Sequence, residues 1–166
     1  MTKTLLFIWL LSILSISSPL DIDWGMKITD LKGGKTSNIS IGSITTNEMI
    51  YGKKCSVVYD FNLISKNEQT LKKVMYYFKQ MDEVTVIDDY HSIKRAISMK
   101  YGLPSSYQKT WLCNTLQDNR DAWGTAVAYN HLVYITKWNT DEFKIEFQVF
   151  GEMGNIYQLL TIQRKI

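Results

Sequence analysis

Residues Leu132–Val149 have the sequence LVYITKWNTDEFKIEFQV, and they carry the strongest structural signal in the chain. Apolar and polar residues alternate on both sides of a short polar break at Asn139–Asp141. A period of two, with many β-branched and aromatic residues, is typical of half-buried strands. The stretch therefore predicts two antiparallel strands joined by a turn.

Three further segments show the same alternation. Tyr157–Gln163 follows a glycine-containing turn, so it extends the first pair to a three-stranded meander. Cys55–Leu63 and Leu71–Lys79 flank the polar residues 65–69, which predicts a second antiparallel hairpin.

One helix is predicted over residues 89–101. Asp88–Asp89 supply a carboxylate cap at its start, and Gly102–Pro104 cannot continue it. Apolar side chains recur at steps of three and four residues, which places them on one face of a helix: Tyr90, Ile93, Ile97 and Tyr101.

Four segments give weaker signals. Residues 36–46 are rich in Ser and Thr and predict a loop with at most one short strand, and residues 84–87 predict a strand or a connection. Residues 105–119 fit either a helix or a broken strand, and residues 121–129 stay equally open.

Together these elements predict an α+β fold. Its antiparallel sheet would have about five or six strands, with the helix at about 89–101 packed on one face. No linker or low-complexity run divides the chain, so we expect one globular domain over residues 18–166. No internal repeat stands out, although a helix followed by strands occurs twice.

The first 17 residues predict a cleaved signal peptide. Lys3 precedes the apolar run Leu5–Ile16, and small residues at Ser15 and Ser17 suit a cleavage site. An uncleaved anchor is the alternative, but spanning the bilayer takes roughly 20 apolar residues. We therefore expect export to the periplasm or the extracellular space, with no membrane span after cleavage.

Cys55 and Cys113 are the only two cysteines. An even number in an exported protein favours a disulfide, which the chain-entropy model values at about 4 kcal/mol for a loop of this size. Two free buried thiols are the alternative.

Several classes of function find no support in the sequence. The formal charge of +3 is too small to indicate nucleic-acid binding. The cysteines and the two histidines, His91 and His131, lack the spacing of metal ligands, and no serine lies in a nucleophile-elbow motif. No cofactor is expected.

Aromatic residues are the one feature that hints at function. Trp111, Trp123, Trp138 and Tyr134 are predicted binding residues because such side chains offer large contact areas at low entropic cost. The alternative is that they fill the core of the sheet.

The chain also resembles small exported bacterial domains of unknown function. The shared pattern is Trp24–Gly25, then Tyr101–Gly102 with Pro104, and a closing meander that includes Trp138 and residues 144–150. The helix and meander resemble outer-membrane assembly accessory lipoproteins, although the lipidated cysteine is missing here, and β-lactamase-inhibitor proteins. The resemblance assigns no catalytic residue.

The sequence thus predicts an exported, non-enzymatic domain that binds a protein or envelope component. Two alternatives remain open at this point. One is a small extracytoplasmic enzyme or enzyme inhibitor that uses Asp88, Asp89 or His91. The other is a structural module that oligomerises through a sheet edge; the sequence does not determine the oligomeric state.

Overall fold

An antiparallel sheet of eight strands is the main element of the computed structural model, which describes residues 21–31, 38–40, 42–51, 53–63, 69–78 and 81–165. Seven strands have six to eleven residues, and the eighth is a three-residue edge strand. The strands are β1 (Asn38–Ser40), β2 (Ser43–Ile50), β3 (Lys53–Leu63), β4 (Gln69–Phe78), β5 (Ser106–Trp111), β6 (Leu132–Asn139), β7 (Phe143–Glu152) and β8 (Asn155–Arg164).

The sheet is built from two successive meanders. Its strand order is β1-β2-β3-β4-β8-β7-β6-β5, so each meander has four strands, and β4 and β8 join them. Leu160 of β8 pairs with Tyr76 of β4 on one side and with Phe147 of β7 on the other. A helix precedes each meander, which confirms that a helix followed by strands occurs twice.

Three helices accompany the sheet in the part of the chain that the structure describes. They are α1 (Ile28–Leu31), α2 (Val86–Tyr101) and α3 (Trp123–Ala128), and a 3₁₀ turn, Arg120–Ala122, leads into α3.

The long helix α2 packs on one face of the sheet. The ring of Tyr90 stacks on Phe147 with centroids 5.1 Å apart, and the Trp138 indole N–H donates to the Ser98 hydroxyl at 3.3 Å. Near the start of the helix, the Gln158 amide donates to the carbonyl of Val86 at 3.3 Å. These contacts combine apolar packing with hydrogen bonds between helix and sheet.

The combination of an antiparallel sheet and some helix is confirmed, but the predicted number of strands is too low. The main omission is β2, half of which, residues 47–50, lies beyond the segment predicted to hold at most one short strand. Its inward positions include Thr46 and Glu48 as well as Ile44 and Ile50, so the apolar alternation is interrupted. The edge strand β5 lies within residues 105–119, where the sequence fits a helix or a broken strand equally well. An edge strand buries few residues, so its apolar alternation is weak.

The predicted start of the long helix is also wrong by about three residues. The helix begins at Val86, so residues 86–87 are helical and not part of a strand. Neither Asp88 nor Asp89 caps it; both lie in the first turn, where their charge suits the helix dipole. At the other end Gly102 has a φ of 86°, which agrees with the predicted stop.

The predicted disulfide is not present. Cys55 lies on β3 and Cys113 just after β5, with four strands between them. Five spacings of about 4.8 Å separate these strands by about 24 Å along the sheet, whereas the Cα atoms of a disulfide lie within about 7 Å. Burial and, to a smaller extent, Glu48 raise the pKa of the Cys55 thiol to about 12.

Some predictions fall outside the described residues. These are the signal peptide at residues 1–17 and most of the turn at residues 65–69. Among the residues described, no helix is long and apolar enough to cross a membrane.

A candidate binding site beside the edge strand

The four predicted binding residues lie in two different environments. Trp138 and Tyr134 are each 1% exposed and belong to the core. Trp111 and Trp123 are half-buried, and their rings meet edge to face with centroids 6.0 Å apart. Of these four residues, only Trp111 and Trp123 therefore have exposed surface that could contact a partner directly.

Strand β5 places three side chains on the helix-facing side of the sheet. Tyr107, Lys109 and Trp111 pair with residues of β6 that are all buried on that side, Thr136, Tyr134 and Leu132. Opposed residues of antiparallel strands share a face. Helix α2 covers the β6 residues but leaves the β5 residues more accessible, and Tyr107 is 44% exposed.

Helix α2 and the 3₁₀ turn supply further side chains that contact the aromatic rings next to β5. His91 and Lys94 are three residues apart and therefore neighbours on the helix surface. Lys94 reaches the ring of Tyr107, with its ammonium 4.2 Å from the centroid. From the 3₁₀ turn, the Arg120 guanidinium lies 5.8 Å from the ring of Trp123.

Lys109 lies at the centre of these groups. Its ammonium is 3.1 Å from the ring centroid of Trp123, 5.5 Å from that of Trp111 and 6.0 Å from that of Tyr134. Each of these contacts is a cation–π interaction, which holds the amine over the aromatic rings without neutralising it.

We call this group the cation–aromatic cluster. It consists of four basic side chains and four aromatic ones: His91, Lys94, Lys109, Arg120, Tyr107, Trp111, Trp123 and Tyr134. Among the described residues, none of its lysines or its arginine forms an ion pair with a carboxylate.

The positive charges in the cluster are close enough to affect one another. Burial, followed by Lys94, lowers the pKa of His91; Asp88 opposes this effect, and Arg120 and Lys109 add to it. Burial and then Arg120 also lower the pKa of Lys109. Around His91, three positive charges therefore act against one carboxylate, and a bound anion would offset them.

One member of the cluster has a buried hydroxyl without a hydrogen-bond partner. The Tyr134 hydroxyl has none among the described residues, and the residue is 1% exposed. The ring of Tyr134 lies 6.1 Å from that of His91 and 6.4 Å from that of Tyr107. Burial and then Tyr107 raise its pKa, while Arg120 acts in the opposite direction. An unpaired buried hydroxyl is costly to stability.

Two of the three residues proposed for an enzyme, Asp88 and His91, are three residues apart and therefore neighbours on the surface of α2. Asp89 instead faces the first meander and binds Lys53 at 2.7 Å. Asp88 lines a cavity of about 440 Å³ with two further carboxylates, Glu83 and Asp121, and its wall includes Arg120 and Trp123 of the cation–aromatic cluster. Over the described ranges, no three His, Cys, Asp or Glu residues are arranged to hold a metal ion.

His131 and Cys113 are neighbours at the end of β5. The carbonyl of His131 accepts hydrogen bonds from the backbone N–H groups of Leu112 and Cys113, and its side-chain Nδ1 is buried with no partner in the described structure. The Cys113 thiol is 3.1 Å from the Thr115 hydroxyl, and this hydrogen bond lowers the pKa of the thiol.

Sequence analysis missed three of the charged members of the cluster, Lys94, Lys109 and Arg120. One signal was present for Lys109. In Tyr107-Gln108-Lys109-Thr110-Trp111 the lysine occupies the same face as two aromatic residues, which is unusual for an ordinary half-buried strand. No local pattern could have placed Lys94 and Arg120 beside it.

Comparisons with known proteins leave the site to be interpreted from its own chemistry. No protein-family model, curated protein or solved structure matches the chain.

Proposed function

We propose that this chain is an exported, non-enzymatic domain that binds an acidic segment of a partner protein through the cation–aromatic cluster. The observation that carries the proposal is the set of cations that are held over aromatic rings and form no ion pair with a described carboxylate. The leader-like residues 1–17 support export.

An acidic protein segment fits each part of this cluster. Its carboxylates would pair with Lys94, Lys109 and Arg120, which are close enough together that all three lower the pKa of His91. The methylene groups of its acidic side chains would contact Trp111 and Trp123, which are already half-buried. Charge and aromatic area then act together, as is typical of protein interfaces.

Binding of a defined acidic peptide tests this function. The probe is a fluorescein-labelled peptide of five Glu-Val repeats, titrated with the purified protein and followed by fluorescence anisotropy. We expect Lys109→Gln to weaken binding about tenfold, the scale of one charge-assisted hydrogen bond. Trp123→Ala should also weaken it, because it removes the ring beneath the amine.

The matched control is Lys144→Gln. Lys144 is an exposed lysine on β7, paired with the β6 residue Asn139 on the face of the sheet away from α2. This variant has the same net charge as Lys109→Gln, so it should bind the peptide within about twofold of the unmodified protein. The proposal fails if the peptide does not bind, or if both lysine variants weaken it equally.

A further inference from the structure

The outer edge of β5 has main-chain groups that no other described strand uses. The Leu112 N–H donates to the His131 carbonyl at 2.7 Å, which fixes the alternation of hydrogen bonds between β5 and β6. Every second residue of β5 therefore bonds to β6. The backbone N–H and C=O groups of Tyr107, Lys109 and Trp111 point the other way, and within the described ranges no segment bonds to them.

The two edges of the sheet differ in what they could accept. The opposite edge is β1, with three residues, Asn38–Ser40. β5 has six residues, and four of them are exposed. A strand of that length offers three pairs of outward N–H and C=O groups, enough to hold an extended segment in register.

The same three residues also direct their side chains toward the cation–aromatic cluster. A residue paired antiparallel with Lys109 would have its Cβ about 5 Å away and on the same face. Acidic side chains at every second position of an added strand would thus face Lys109 and the nearby Lys94 and Arg120. The residues between them would face the other side of the sheet.

From this arrangement we propose that the acidic partner segment binds as a ninth strand, antiparallel to the outer edge of β5, with its acidic residues at alternate positions on the side of the cation–aromatic cluster. This inference rests on the proposed function and adds the mode of recognition. Main-chain hydrogen bonds supply affinity, and the charges of the cluster fix the register.

Backbone methylation of the probe peptide tests the strand geometry. In the peptide strand added to β5, the residues whose side chains lie on the same face as Lys109 are also those whose N–H groups point to β5. N-methylation of the Glu amides in the Glu-Val peptide should therefore weaken binding by more than tenfold. N-methylation of the Val amides is the matched control, and it should weaken binding much less.

Hydrogen exchange of the protein's own amides gives a second measurement. Binding of the unmodified peptide should slow the exchange of the Tyr107, Lys109 and Trp111 amides at least tenfold. The amides of Gln108 and Thr110, already directed to β6, should change little. These readouts do not depend on any variant that could unfold.

The outcomes separate the two proposals. If the peptide binds with the dependence on Lys109 described above, but both methylated forms bind equally and the three amides do not slow, strand addition is wrong and the proposed function stands. If the unmodified peptide does not bind, both are wrong. If the protein alone sediments as a dimer with these amides already protected, a second copy of the chain occupies the edge and the acidic partner is excluded.

Discussion

The two meanders treat their inward-facing polar groups differently. In the first, Glu48 of β2 accepts hydrogen bonds from the hydroxyls of Thr46 and Tyr59, each at 2.9 Å. In the second, the Tyr134 hydroxyl is buried without a partner in the described structure, and Lys109 lies over aromatic rings without a carboxylate. Over the described residues, the buried side-chain atoms without a hydrogen-bond partner all lie in or next to the second meander: His131 Nδ1, the Tyr134 hydroxyl and Gln158 Oε1.

This contrast distinguishes a structural role from a binding role. A polar group that finds its partners within the fold stabilises the fold. A buried group left unpaired reduces stability, whereas the half-buried Lys109 carries a charge with which a ligand could pair. For this reason we propose the second meander as the binding half of the sheet.

The contrast in polar groups between the two meanders is meaningful only if both meanders are equally well packed. Phe78 in the first and Trp138 in the second are each 1% exposed. Phe78→Ala and Trp138→Ala should each lower the free energy of unfolding by about 3–5 kcal/mol, because each leaves a large cavity. Urea denaturation followed by circular dichroism measures both. A much smaller loss in Phe78→Ala would mean that the two halves differ in packing rather than in their polar groups.

Removing the internal acceptor of the first half should have a smaller effect. Glu48→Ala leaves the Thr46 and Tyr59 hydroxyls without their partner and should lower the free energy of unfolding by about 1–3 kcal/mol. In a Tyr59→Phe background the loss should shrink, since one of the two hydroxyls is already absent. Equal losses in both backgrounds would show that Glu48 and Tyr59 are not coupled.

Tyr134→Phe is the matched change in the second half. It removes a buried hydroxyl that has no partner in the described structure, so stability should stay the same or rise by up to about 1 kcal/mol. A stability loss as large as that of Glu48→Ala would mean that the two halves do not differ.

The strands that the sequence predicts well are those with one fully buried face. In β7, Ile145, Phe147 and Val149 are buried and alternate with polar residues, so a period of two is visible in the sequence alone. β2 interrupts this pattern with Thr46 and Glu48, whose burial depends on hydrogen bonds to each other and to Tyr59. Local alternation cannot reveal such a partnership.

The candidate site was less accessible to sequence reasoning for a related reason. Trp111 and Trp123 were identified from residue type alone, and both lie in the cation–aromatic cluster. Its cations come from α2, β5 and the 3₁₀ turn, and only the tertiary fold brings Lys94, Lys109 and Arg120 to one place. The aromatic residues of the site can thus be identified from the sequence by residue type. Its charged residues can be identified only once the fold shows which elements lie side by side.

The smallest expected effect concerns His91, which reports on the charge of the cluster. Burial and Lys94, with Arg120 and Lys109, hold its pKa below the ordinary 6.5, and Asp88 only partly opposes them. As the pH falls through about 6.5, the unfolded chain takes up this proton first, so the imidazole lowers stability below that pH. When the pH is lowered from about 7.5 to about 5, the free energy of unfolding should therefore fall less in His91→Gln than in the unmodified protein.

Nuclear magnetic resonance titration of the His91 ring measures the same effect directly, with His91→Gln used to assign the signal. The free protein should titrate below the ordinary value. Saturation with the Glu-Val peptide should raise the pKa, because its carboxylates would offset the charges of Lys94, Lys109 and Arg120. A pKa that does not move on saturation would show that the peptide's charges lie elsewhere, and the second meander would then lose its distinction from the first.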